Sequence, residues 1–528
     1  MKRNFEKLEN GPFDLLVIGG GITGAWTAYD AARRGLKVAL VEKNDWASGT
    51  SMSSSKMIHG GLRYLENYEF GLVRHSLKER KKLAKLAPHA VQAVRFCVPV
   101  YKGDSANRTL LKAGFTLYDL LAGRKSPVKG HQRFSRKSFI KNFPHIRSEN
   151  LLGGFTYGDG QEDDARFTLE VVDGACEWGV ATVNHATASQ LLFAGEQVTG
   201  AVIQDNLSGK QITVKADVVV NAAGPWAELL MGDKPRSHSR LVKGSHLVMP
   251  ALPVGEGMLI TSPVDGRVIF LIPWLGHTIL GTTDSDYSGH PDDLEVTDEE
   301  VGYLLGLANR ALGEDYWQAS DICGKYAGVR TLAHEEGKSA SKVSREWELT
   351  EPKTNLFTPV GGKYTTARDD ASSIVDHVAN LLNKGLKAST TGTRPFPWAP
   401  LCGGKEGYPA WAQQRIANAM ALGVDKEVAD LIPQRHGCFT ESLLDVVRQR
   451  PELAKRIHPR APFCWAELLY SVRKEMAQTL DDLLRRRVPL MLLVPQDEMP
   501  LEELEAFARH EFGWSETDLV DRFTLHFQ

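Results

Sequence analysis

Three segments of this 528-residue chain concentrate side chains that could bind and transform a polar ligand. The first, residues 49–66, carries a run of serines and threonines, then two glycines, and also His59, Arg63 and Tyr64. Small hydroxyl side chains and backbone amides suit a ligand that presents phosphate and ring carbonyl groups. The segment is therefore predicted to form one wall of a ligand site rather than a serine-rich surface loop.

Two arginines occupy short strand-like runs further along the chain. Arg330 lies in KYAGVRTL, residues 325–332, and Arg345 lies in VSREWEL, residues 343–349. An arginine in an apolar strand usually reaches an ion pair, which can be purely structural. Two arginines are also what planar, bidentate recognition of a phosphate or a carboxylate needs. Both interpretations stay open at this point.

The third segment, residues 355–382, is typical of an apolar strand that runs into two glycines and then a helix. The helix is predicted to open at Thr365 or Thr366, shortly after Lys363. The positive end of the helix dipole, with the lysine beside it, could stabilise negative charge on a reduced ring. A purely structural strand-to-helix turn would have little use for that lysine.

A strand, a glycine turn and a helix near the start of the chain supply the element that must position these groups. The apolar run at 14–18 ends at Gly19, which opens the pattern G-x-G-x-x-G with Gly21 and Gly24. In this pattern the glycines allow the tight turn, the approach of a pyrophosphate and the packing of helix on strand. Glu42 closes the next apolar strand, where it is placed to accept ribose hydroxyls. The unit is predicted to bind a dinucleotide, with a glycine-rich turn in an unrelated sheet as the alternative.

The rest of the chain predicts strands separated by turn residues and then a helical region. Residues 243–284 read as antiparallel strands, and the strand DVVVN runs into small residues at 222–224, where a ligand is expected to approach closely. Residues 394–408 are rich in proline and glycine, and helical spacing follows, including WAELLYSVRKEMAQTLDDLLRRR. These patterns indicate one domain inserted into another, followed by a helical one.

Composition argues against several classes of function. With 63 basic and 65 acidic residues the net charge is −2, so no overall field would attract nucleic acid. None of the six cysteines forms a C-x-x-C pair, which argues against a zinc site, an iron–sulfur cluster and a redox disulfide. We therefore expect no metal, no nucleic-acid partner and a reducing, cytoplasmic environment. No window holds the apolar run of about eighteen residues that a membrane span requires.

Several motifs, in the same order and at similar spacing, are similar to those of one enzyme family. The chain resembles the FAD-dependent glycerol-3-phosphate dehydrogenases of the aerobic, quinone-linked, single-subunit type in IGGGITGAWTAYDAARRG, SSKMIHGGLRYLE, VVVNAAGPWA, KGSHLV, ILGTTD, GVRTL and GGKYTTAR. The similarity spans about residues 13–385 and continues more weakly beyond them. Ala367 stands where the family commonly has tyrosine, and Met52 interrupts a run of small hydroxyl residues.

The resemblance implies a fold, a cofactor and a reaction. The fold would be α/β, with a Rossmann-like FAD-binding domain, an inserted antiparallel-sheet substrate (cap) domain and a C-terminal helical domain. The expected bounds are residues 13–85, 150–225 and 325–390 for the first domain, 86–149 and 226–324 for the second, and 395–528 for the third. Non-covalent FAD would oxidise sn-glycerol 3-phosphate to dihydroxyacetone phosphate. Electrons would then pass to a membrane quinone, and the chain could form a homodimer.

The resemblance also implies which residues form the site. The catalytic residues would be His246, Lys363 and His59. The substrate would contact Arg63, Tyr64, His246, Arg330, Arg345 and Lys363. The cofactor would contact Gly19, Gly21, Gly24, Glu42, Thr50, Ser51, Ser55, His59, Gly60, Ala223, Gly224, Gly361, Gly362, Lys363 and Thr365. Arg330 and Arg345 are expected to hold the phosphate, and Lys363 is assigned to the hydroxyl side and the reduced flavin. His59 and His246 are both candidates for the base, because neutral imidazole accepts protons near pH 7, and His246 is preferred.

A membrane quinone requires a membrane-facing surface, for which two segments are candidates. Residues 109–123, TLLKAGFTLYDLLAG, have helical spacing, and the stretch 123–147 contains no acid. That stretch carries Arg124, Lys125, Lys129, Arg133, Arg136, Lys137, Lys141 and Arg147. An apolar helix beside a basic loop suits anionic lipid at the inner face of the cell membrane, although a solvated loop is an equal alternative. Residues 485–495 are the second candidate, with a core element as the favoured interpretation.

Other functions stay open on the sequence alone. An amino-acid or amine oxidase of the same fold would grip a carboxylate, usually with one arginine. A glycerol-3-phosphate oxidase would keep the substrate and pass its electrons to O₂. A non-catalytic dinucleotide-binding protein would have no use for the substrate residues. Arg330, Arg345 and Lys363 together favour a phosphorylated substrate.

Overall fold

The computed structural model describes residues 1–104, 108–123, 126–232, 239–263, 265–333, 343–404 and 406–514. Its N-terminal part contains β1 (Phe13–Ile18), α1 (Ile22–Arg33), β2 (Val38–Val41), β3 (Met57–Ile58), α2 (Phe70–Leu86), β4 (Gln92–Tyr101), α3 (Arg108–Ala122), β5 (Gln132–Ser135), α4 (Arg136–Asn142), β6 (Leu151–Gln161), α5 (Asp164–Glu177), β7 (Ala181–Val183), β8 (Ala186–Ala194), β9 (Gln197–Asp205) and β10 (Gln211–Asn221). It continues with β11 (Ser239–Pro250), β12 (Gly257–Thr261), β13 (Val268–Trp274), β14 (His277–Gly281), β15 (Ser285–Asp286), α6 (Asp298–Leu312), β16 (Gly324–Ala333), β17 (Trp347–Lys353), β18 (Leu356–Gly361) and α7 (Ala367–Leu382). The C-terminal part contains α8 (Tyr408–Ala421), α9 (Lys426–His436), α10 (Thr440–Gln449), β19 (Arg456–His458), β20 (Ala461–Cys464), α11 (Trp465–Lys474), a π-helical turn (Asp482–Arg487), α12 (Leu490–Leu493) and α13 (Leu501–Phe512).

The first sheet is centred on β1. Within the described residues it has eight strands, in the order β17-β18-β10-β1-β2-β7, with β9 paired to β10 and β8 paired to β9. β1 pairs in parallel with both β10 and β2. Leu15 and Val17 pack in one core with α1, α5 and α7, whereas Leu16 packs on the other face with Val198 and Ile203 of β9. Because both faces of the sheet are covered, residues 15–18 of β1 form an unbroken apolar run, and the predicted Rossmann-like unit is confirmed.

The second sheet is largely antiparallel. Across the described residues it has ten strands, in the order β15-β11-β14-β13-β12-β4-β6-β3, with β16 paired to β11 and β5 paired to β6. Its presence confirms the predicted antiparallel-sheet unit beside the Rossmann-like one. β6 and β16 belong to it, whereas the predicted bounds assign residues 150–225 and 325–390 to the first domain. Both strands pair with partners far away in the chain, which a local pattern of apolar residues does not reveal. The division into domains otherwise stays a prediction.

The C-terminal region is mainly helical, as predicted, but one predicted helix is interrupted. α11 ends at Lys474 and the π-helical turn begins only at Asp482. The carboxylate of Asp482 accepts hydrogen bonds from the backbone amides of Gln478 and Thr479, at 2.8 and 3.1 Å. Such local side-chain bonds compete with a continuous helix.

The segment after this turn lies in the protein interior. Val488 and residues 490–494 are buried and share a core cluster with Phe96 and Trp274 of the second sheet. The suggestion that residues 485–495 contact a membrane is therefore wrong, and the core interpretation is confirmed. None of the helices in the described part of the chain is long and apolar enough to cross a bilayer.

Candidate active site

A cavity of about 640 Å³ is lined by residues from both large sheets. Among the described residues its wall includes every predicted site residue except Gly24, Gly60 and His246. A cavity of this size can enclose most of a cofactor-sized ligand. Segments that lie far apart in the sequence are therefore brought to one place.

The glycine turn forms one end of the cavity. Gly19 has a left-handed φ of +110°, and a side chain on Gly24 would place its Cβ 2.0 Å from the carbonyl oxygen of Gly19. Only glycine therefore allows this close packing of α1 on β1. Gly21 precedes α1, and the Oγ atom of Ser51 accepts a hydrogen bond from the backbone amide of Ile22 at 2.9 Å. The start of the helix thus faces the cavity beside a small hydroxyl side chain, as expected for a pyrophosphate site.

Glu42 is held at the same end by two backbone amides. Gly20 donates to its Oε2 atom at 2.7 Å, and Asn44 donates to its Oε1 atom at 2.8 Å. Burial raises the pKa of the Glu42 carboxyl group, and these two amides counteract that effect. Each carboxylate oxygen keeps lone pairs that could accept ribose hydroxyls.

The loop that carries His59 is fixed from two sides. The backbone amide of His59 donates to Oγ1 of Thr365 at 3.1 Å, next to the start of α7. The amide of Gly60 donates to the hydroxyl oxygen of Tyr118 on α3 at 3.0 Å, and that hydroxyl donates to Asp159 at 2.6 Å. Gly60 therefore supports the wall from behind, which explains why it does not line the cavity.

The turn after β10 lies against the glycine turn, and the turn after β18 lines the same cavity. Ala223 and Gly224 line it after β10, as do Gly361 and Gly362 after β18. Gly361 has a φ of +79°, and a Cβ atom there would lie 2.5 Å from the carbonyl oxygen of Glu346. The predicted helix begins at Ala367, after a 3₁₀ turn at Tyr364–Thr366.

Three arginines converge on one carboxylate, and we call Arg63, Arg330, Arg345 and Asp284 the arginine cluster. Arg330 Nη1 lies 3.2 Å from Asp284 Oδ1, Arg345 Nη2 lies 3.4 Å from the same atom, and Arg63 Nη1 lies 3.6 Å from Oδ2. Three guanidinium groups therefore share one carboxylate at the cavity wall. Burial, and then repulsion from Arg345 and Arg63, lower the pKa of Arg330 against the pull of Asp284. The cluster can bind an anion.

Asp284 is the residue of this site that the sequence analysis missed. It is buried and follows the apolar strand β14 within the motif ILGTTD. The sequence signal for Asp284 is a carboxylate directly after an apolar strand, because a buried carboxylate needs a positively charged partner.

Lys363 lies between the arginine cluster and α2. Its Nζ atom donates to Oγ of Ser76 at 3.0 Å and lies 3.9 Å from the centre of the Tyr64 ring, in the range of a cation–π contact. Burial lowers the pKa of the amine to about 7. A lysine of this kind can exchange a proton near neutral pH.

The two histidines differ in their access to the cavity. His59 lines it, and burial lowers the pKa of its imidazole to about 4. His246 is buried, and its Nε2 atom lies 2.9 Å from Oγ of Ser55, which itself lines the cavity. Its ring stacks on Tyr326, with the ring centres 4.7 Å apart. Burial, and then Arg330 and Lys56, hold the pKa of His246 well below its usual range.

The hydroxyl groups of the same loop have different partners. Thr50 donates to the carbonyl oxygen of Val329 at 2.6 Å, and Ser55 separates His246 from the cavity. The direct contact of His246 with substrate therefore stays a prediction, and in this structure the ring reaches the cavity through Ser55.

Two family models match the chain. One, described as FAD dependent oxidoreductase, matches residues 14–357, more than half of the sequence. The other, described as C-terminal domain of alpha-glycerophosphate oxidase, matches residues 398–519. The two matches together cover most of both large sheets and most of the C-terminal helical region.

Relatives and a solved structure match along most of the chain. A glycerol-3-phosphate dehydrogenase of Synechocystis sp. is 37% identical over 93% of this chain and 91% of its own length. An aerobic glycerol-3-phosphate dehydrogenase of Staphylococcus aureus is 35% identical over 91% of this chain and 87% of its own length. The crystal structure of the glycerol-3-phosphate dehydrogenase from Bacillus halodurans complexed with FAD superposes with a TM-score of 0.78 at 29% identity, covering 98% of this chain and 94% of that one.

Proposed function

We propose that this chain, which belongs to the family of FAD-dependent glycerol-3-phosphate dehydrogenases, oxidises sn-glycerol 3-phosphate to dihydroxyacetone phosphate and passes the electrons to a membrane quinone. The observation that carries the choice of substrate is the arginine cluster. Its three guanidinium groups suit a phosphate monoester, which carries a charge of about −1.5 to −2 at pH 7 and offers oxygens to more than one arginine. An amino-acid carboxylate, with only two oxygens, would bind fewer of these guanidinium groups.

FAD is the cofactor of this family, and the residues present fit it. The turn at Gly19, which has no room for a side chain, and the amide-held carboxylate of Glu42 suit the pyrophosphate and the adenosine ribose. Lys363 and the start of α7 would lie at the flavin end of the same cavity. When bound, FAD supplies the acceptor for the hydride that leaves the substrate carbon.

The residues around the arginine cluster would orient the substrate. Arg330 on β16 and Arg345 in the segment before β17 would bind the phosphate, with Arg63 on a third side. Asp284 keeps the three guanidinium groups together before the anion arrives, because it offsets part of their mutual repulsion. Fixing the phosphate in this way would hold the carbon chain in one position relative to the flavin.

We assign the role of proton acceptor to Lys363. A secondary alcohol must lose its hydroxyl proton as hydride leaves its carbon, so a base is needed beside the substrate. The lysine lines the cavity, and its pKa of about 7 makes a neutral amine available near neutral pH. His59 would have a pKa of about 4, and His246 lies behind Ser55, so both are weaker candidates than the sequence suggested.

The proposed membrane surface is α3 with the basic segment that follows it. Leu110 and Leu120 of α3 are 61% and 72% exposed, although Phe115 and Tyr118 on the same helix are in the core. The carboxylate of Asp119 binds Nδ1 of His131 at 2.7 Å, which holds the basic segment beside the helix. Lys129, Arg133, Arg136, Lys137 and Lys141 are exposed, whereas Arg124 and Lys125 lie outside the described residues. This arrangement supports attachment to anionic lipid at the inner face of the cell membrane.

The position of α3 also suits electron transfer to a quinone dissolved in the bilayer. Through the hydroxyl of Tyr118, α3 binds the backbone of Gly60, in the loop that carries His59 and Arg63. A helix that touches lipid would therefore lie directly behind the flavin end of the cavity. A homodimer stays a further prediction.

The substrate is tested by anaerobic reduction of the purified, FAD-loaded protein. We expect rapid bleaching of the flavin absorbance at about 450 nm on addition of sn-glycerol 3-phosphate, and none with glycerol or amino acids. Bleaching by an amino acid or amine, without a response to sn-glycerol 3-phosphate, would favour an oxidase of that class instead.

The electron acceptor is tested with the reduced protein. We expect fast reoxidation by a soluble quinone without oxygen, and slow formation of hydrogen peroxide in air. Peroxide formed in step with substrate oxidation would instead favour a glycerol-3-phosphate oxidase.

Membrane binding is tested by sedimentation with vesicles of zwitterionic lipid, with and without anionic lipid. The double variant Leu110→Ser, Leu120→Ser should bind anionic vesicles at least about tenfold more weakly, because each leucine loses roughly 1.5–3 kcal/mol of burial. Leu401→Ser is a matched control, since Leu401 is 90% exposed and lies in the segment before α8. Equal binding by the double variant and the control would contradict this surface.

A further inference from the structure

Ser76 on α2 is a fully buried serine whose hydroxyl group makes two hydrogen bonds. The hydroxyl donates its proton to the carbonyl oxygen of Leu72, one turn earlier in the same helix, at 2.8 Å. Because that proton is used, the Oγ atom can only accept toward any other neighbour. The neighbour is Nζ of Lys363, at 3.0 Å.

The amine of Lys363 is therefore held from two elements that meet at the cavity. Ser76 accepts from it on α2, and the ring of Tyr64, in the 3₁₀ turn Leu62–Leu65, lies 3.9 Å from it on another side. There is little free space around this position, since a Cβ atom on Gly61 would lie 3.2 Å from Nζ. The flexible side chain of Lys363 is thus held at its terminal amine rather than along its methylene groups.

α2 itself is fixed relative to the segment that carries the lysine. Nε2 of His75 lies 2.9 Å from Oδ2 of Asp369, and Oε2 of Glu79 lies 2.7 Å from the guanidinium of Arg368. Both partners lie in the first turn of α7, only a few residues after Lys363. The distance between Ser76 and the lysine is therefore set by the packing of α2 on α7.

We propose that Ser76 is a positioning residue for the reaction, because its oxygen holds the amine of Lys363 at the cavity wall and sets how readily that amine takes up a proton. The proposal rests on the role of Lys363 given under Proposed function. An oxygen that can only accept stabilises the ammonium form more than the neutral amine, whereas burial has the opposite effect. The proton affinity of Lys363 therefore depends on both of these opposing influences.

Other charged groups also act on this amine and must be kept constant in any test. Burial is the largest influence on the pKa of Lys363, and Ser76 is not charged. The charged or titratable groups that face the lysine include Glu69 at the start of α2, Asp159 on β6, Asp370 on α7, Arg345, His59 and Tyr64. Substituting Ser76 changes none of them, so a change in proton affinity would report the hydroxyl group alone.

The experiment compares Ser76→Ala with the parent protein, both loaded with FAD. The rate of anaerobic flavin reduction by saturating sn-glycerol 3-phosphate is measured against pH. Loss of a hydrogen bond to a charged group should move the acid limb of this profile down by about one pH unit. The limiting rate should also fall by about tenfold, because the amine is no longer held in place. Ser76→Cys, with a weakly accepting sulfur, should give an intermediate shift.

A second measurement avoids turnover altogether. Acylation of Lys363 by acetic anhydride, without substrate, is followed against pH by peptide mass spectrometry. The midpoint of its reactivity should fall by the same amount in Ser76→Ala. Ser471→Ala is the matched control, because Ser471 is also buried in a helix and donates to the carbonyl oxygen four residues earlier, at 2.7 Å, far from the lysine in sequence. It should move neither midpoint.

The variant Lys363→Met distinguishes the claim that Lys363 is the base from the claim that Ser76 positions it. If its rate keeps the acid limb of the parent protein, Lys363 is not the base, and both claims fail. If the limb disappears in Lys363→Met but does not move in Ser76→Ala, the lysine is the base and only the role of Ser76 is overturned. A shift in Ser76→Ala in both measurements, absent from Ser471→Ala, supports the positioning role.

Discussion

Two groups of arginines in this protein differ in their burial and in the acids that they face. In the arginine cluster, three guanidinium groups share Asp284 at distances of 3.2 to 3.6 Å. In the second group, which we call the junction cluster, Arg486 and Arg487 face Asp45, Asp481 and Asp482. Arg486 lies 2.6, 3.0 and 2.8 Å from these three acids, and Arg487 also binds Asp45.

Two of the three arginines of the cluster are also more exposed than those of the junction cluster. The side chain of Arg487 is 0% exposed, whereas those of Arg330 and Arg63 are 29% and 32% exposed, toward the cavity, and that of Arg345 is 9% exposed. Arg486 and Arg487 of the junction cluster, which joins the C-terminal region to the loop after β2, are paired with the buried acids Asp45 and Asp482. A position on the wall of a cavity, rather than the presence of arginine, therefore distinguishes the binding site from the structural junction.

The largest effect should come from breaking the junction cluster. Arg487→Ala leaves the buried charge of Asp45 with one partner fewer, and breaking a buried pair typically costs about 3–5 kcal/mol. We expect a markedly lower midpoint of thermal unfolding for the FAD-loaded protein. The folded fraction should still bind sn-glycerol 3-phosphate with an unchanged Kd. A weakened Kd at full folding would show that the junction also shapes the site.

A comparable change in the arginine cluster should affect function rather than stability. Arg330→Ala removes a charge-assisted contact with the phosphate, so kcat/KM for sn-glycerol 3-phosphate should fall by about 10²–10³-fold. The midpoint of thermal unfolding should change little, because the variant relieves repulsion among the arginines. A large loss of stability with intact turnover would instead make the cluster structural.

A smaller effect should follow from removing the negative charge of the arginine cluster. Asp284→Asn keeps the shape of the side chain but removes the carboxylate charge that the three arginines share, so inorganic phosphate should bind about 3–10-fold more tightly. Without an anion, Asp284→Asn should unfold at a lower temperature than the parent protein. Added phosphate should raise the unfolding temperature of the variant more than that of the parent protein.

Asp286→Asn is the control for this change. Asp286 lies two residues away, is 61% exposed and pairs with Arg240. Phosphate binding that is unchanged in Asp284→Asn, or changed equally in both variants, would contradict the charge argument.

The smallest effect concerns the pH dependence of catalysis. The base must be deprotonated to act, and burial lowers the pKa of Lys363 to about 7. The rate of flavin reduction should therefore rise with pH, reach half its maximum near pH 7 and level off above about pH 8. A half-maximum near pH 4 would point to His59, and a rate still rising above about pH 9 would point to a lysine of ordinary pKa.

The parts of the fold and site that the sequence predicted are those encoded within a few neighbouring residues. The glycine turn after β1, the carboxylate of Glu42 after β2 and the helix after Lys363 each depend on a local run of residue types. The two family models and the solved relative confirm the fold and the cofactor. The individual roles of the site residues stay predictions.

The parts that the sequence did not reveal depend on pairing across the chain. Arg330 meets Asp284 only because β16 and β14 both pair with β11 in the second sheet. Ser76 meets Lys363 only because α2 packs beside the turn that precedes α7. The sequence favours His246 as the base because of its residue type, but in the structure Ser55 lies between the His246 ring and the cavity. A local pattern of residue types does not show which distant residues of the chain lie close together in space.

The central claim is that the arginine cluster selects a phosphorylated substrate. Anaerobic flavin reduction at increasing concentrations of sn-glycerol 3-phosphate separates the substrate Kd from the limiting rate, and should be measured for the parent protein, Arg330→Ala and Arg487→Ala. We predict a Kd raised by about 10²–10³-fold in Arg330→Ala, and a parental Kd in the folded fraction of Arg487→Ala. A parental Kd in Arg330→Ala would contradict the account, whatever happens to the limiting rate.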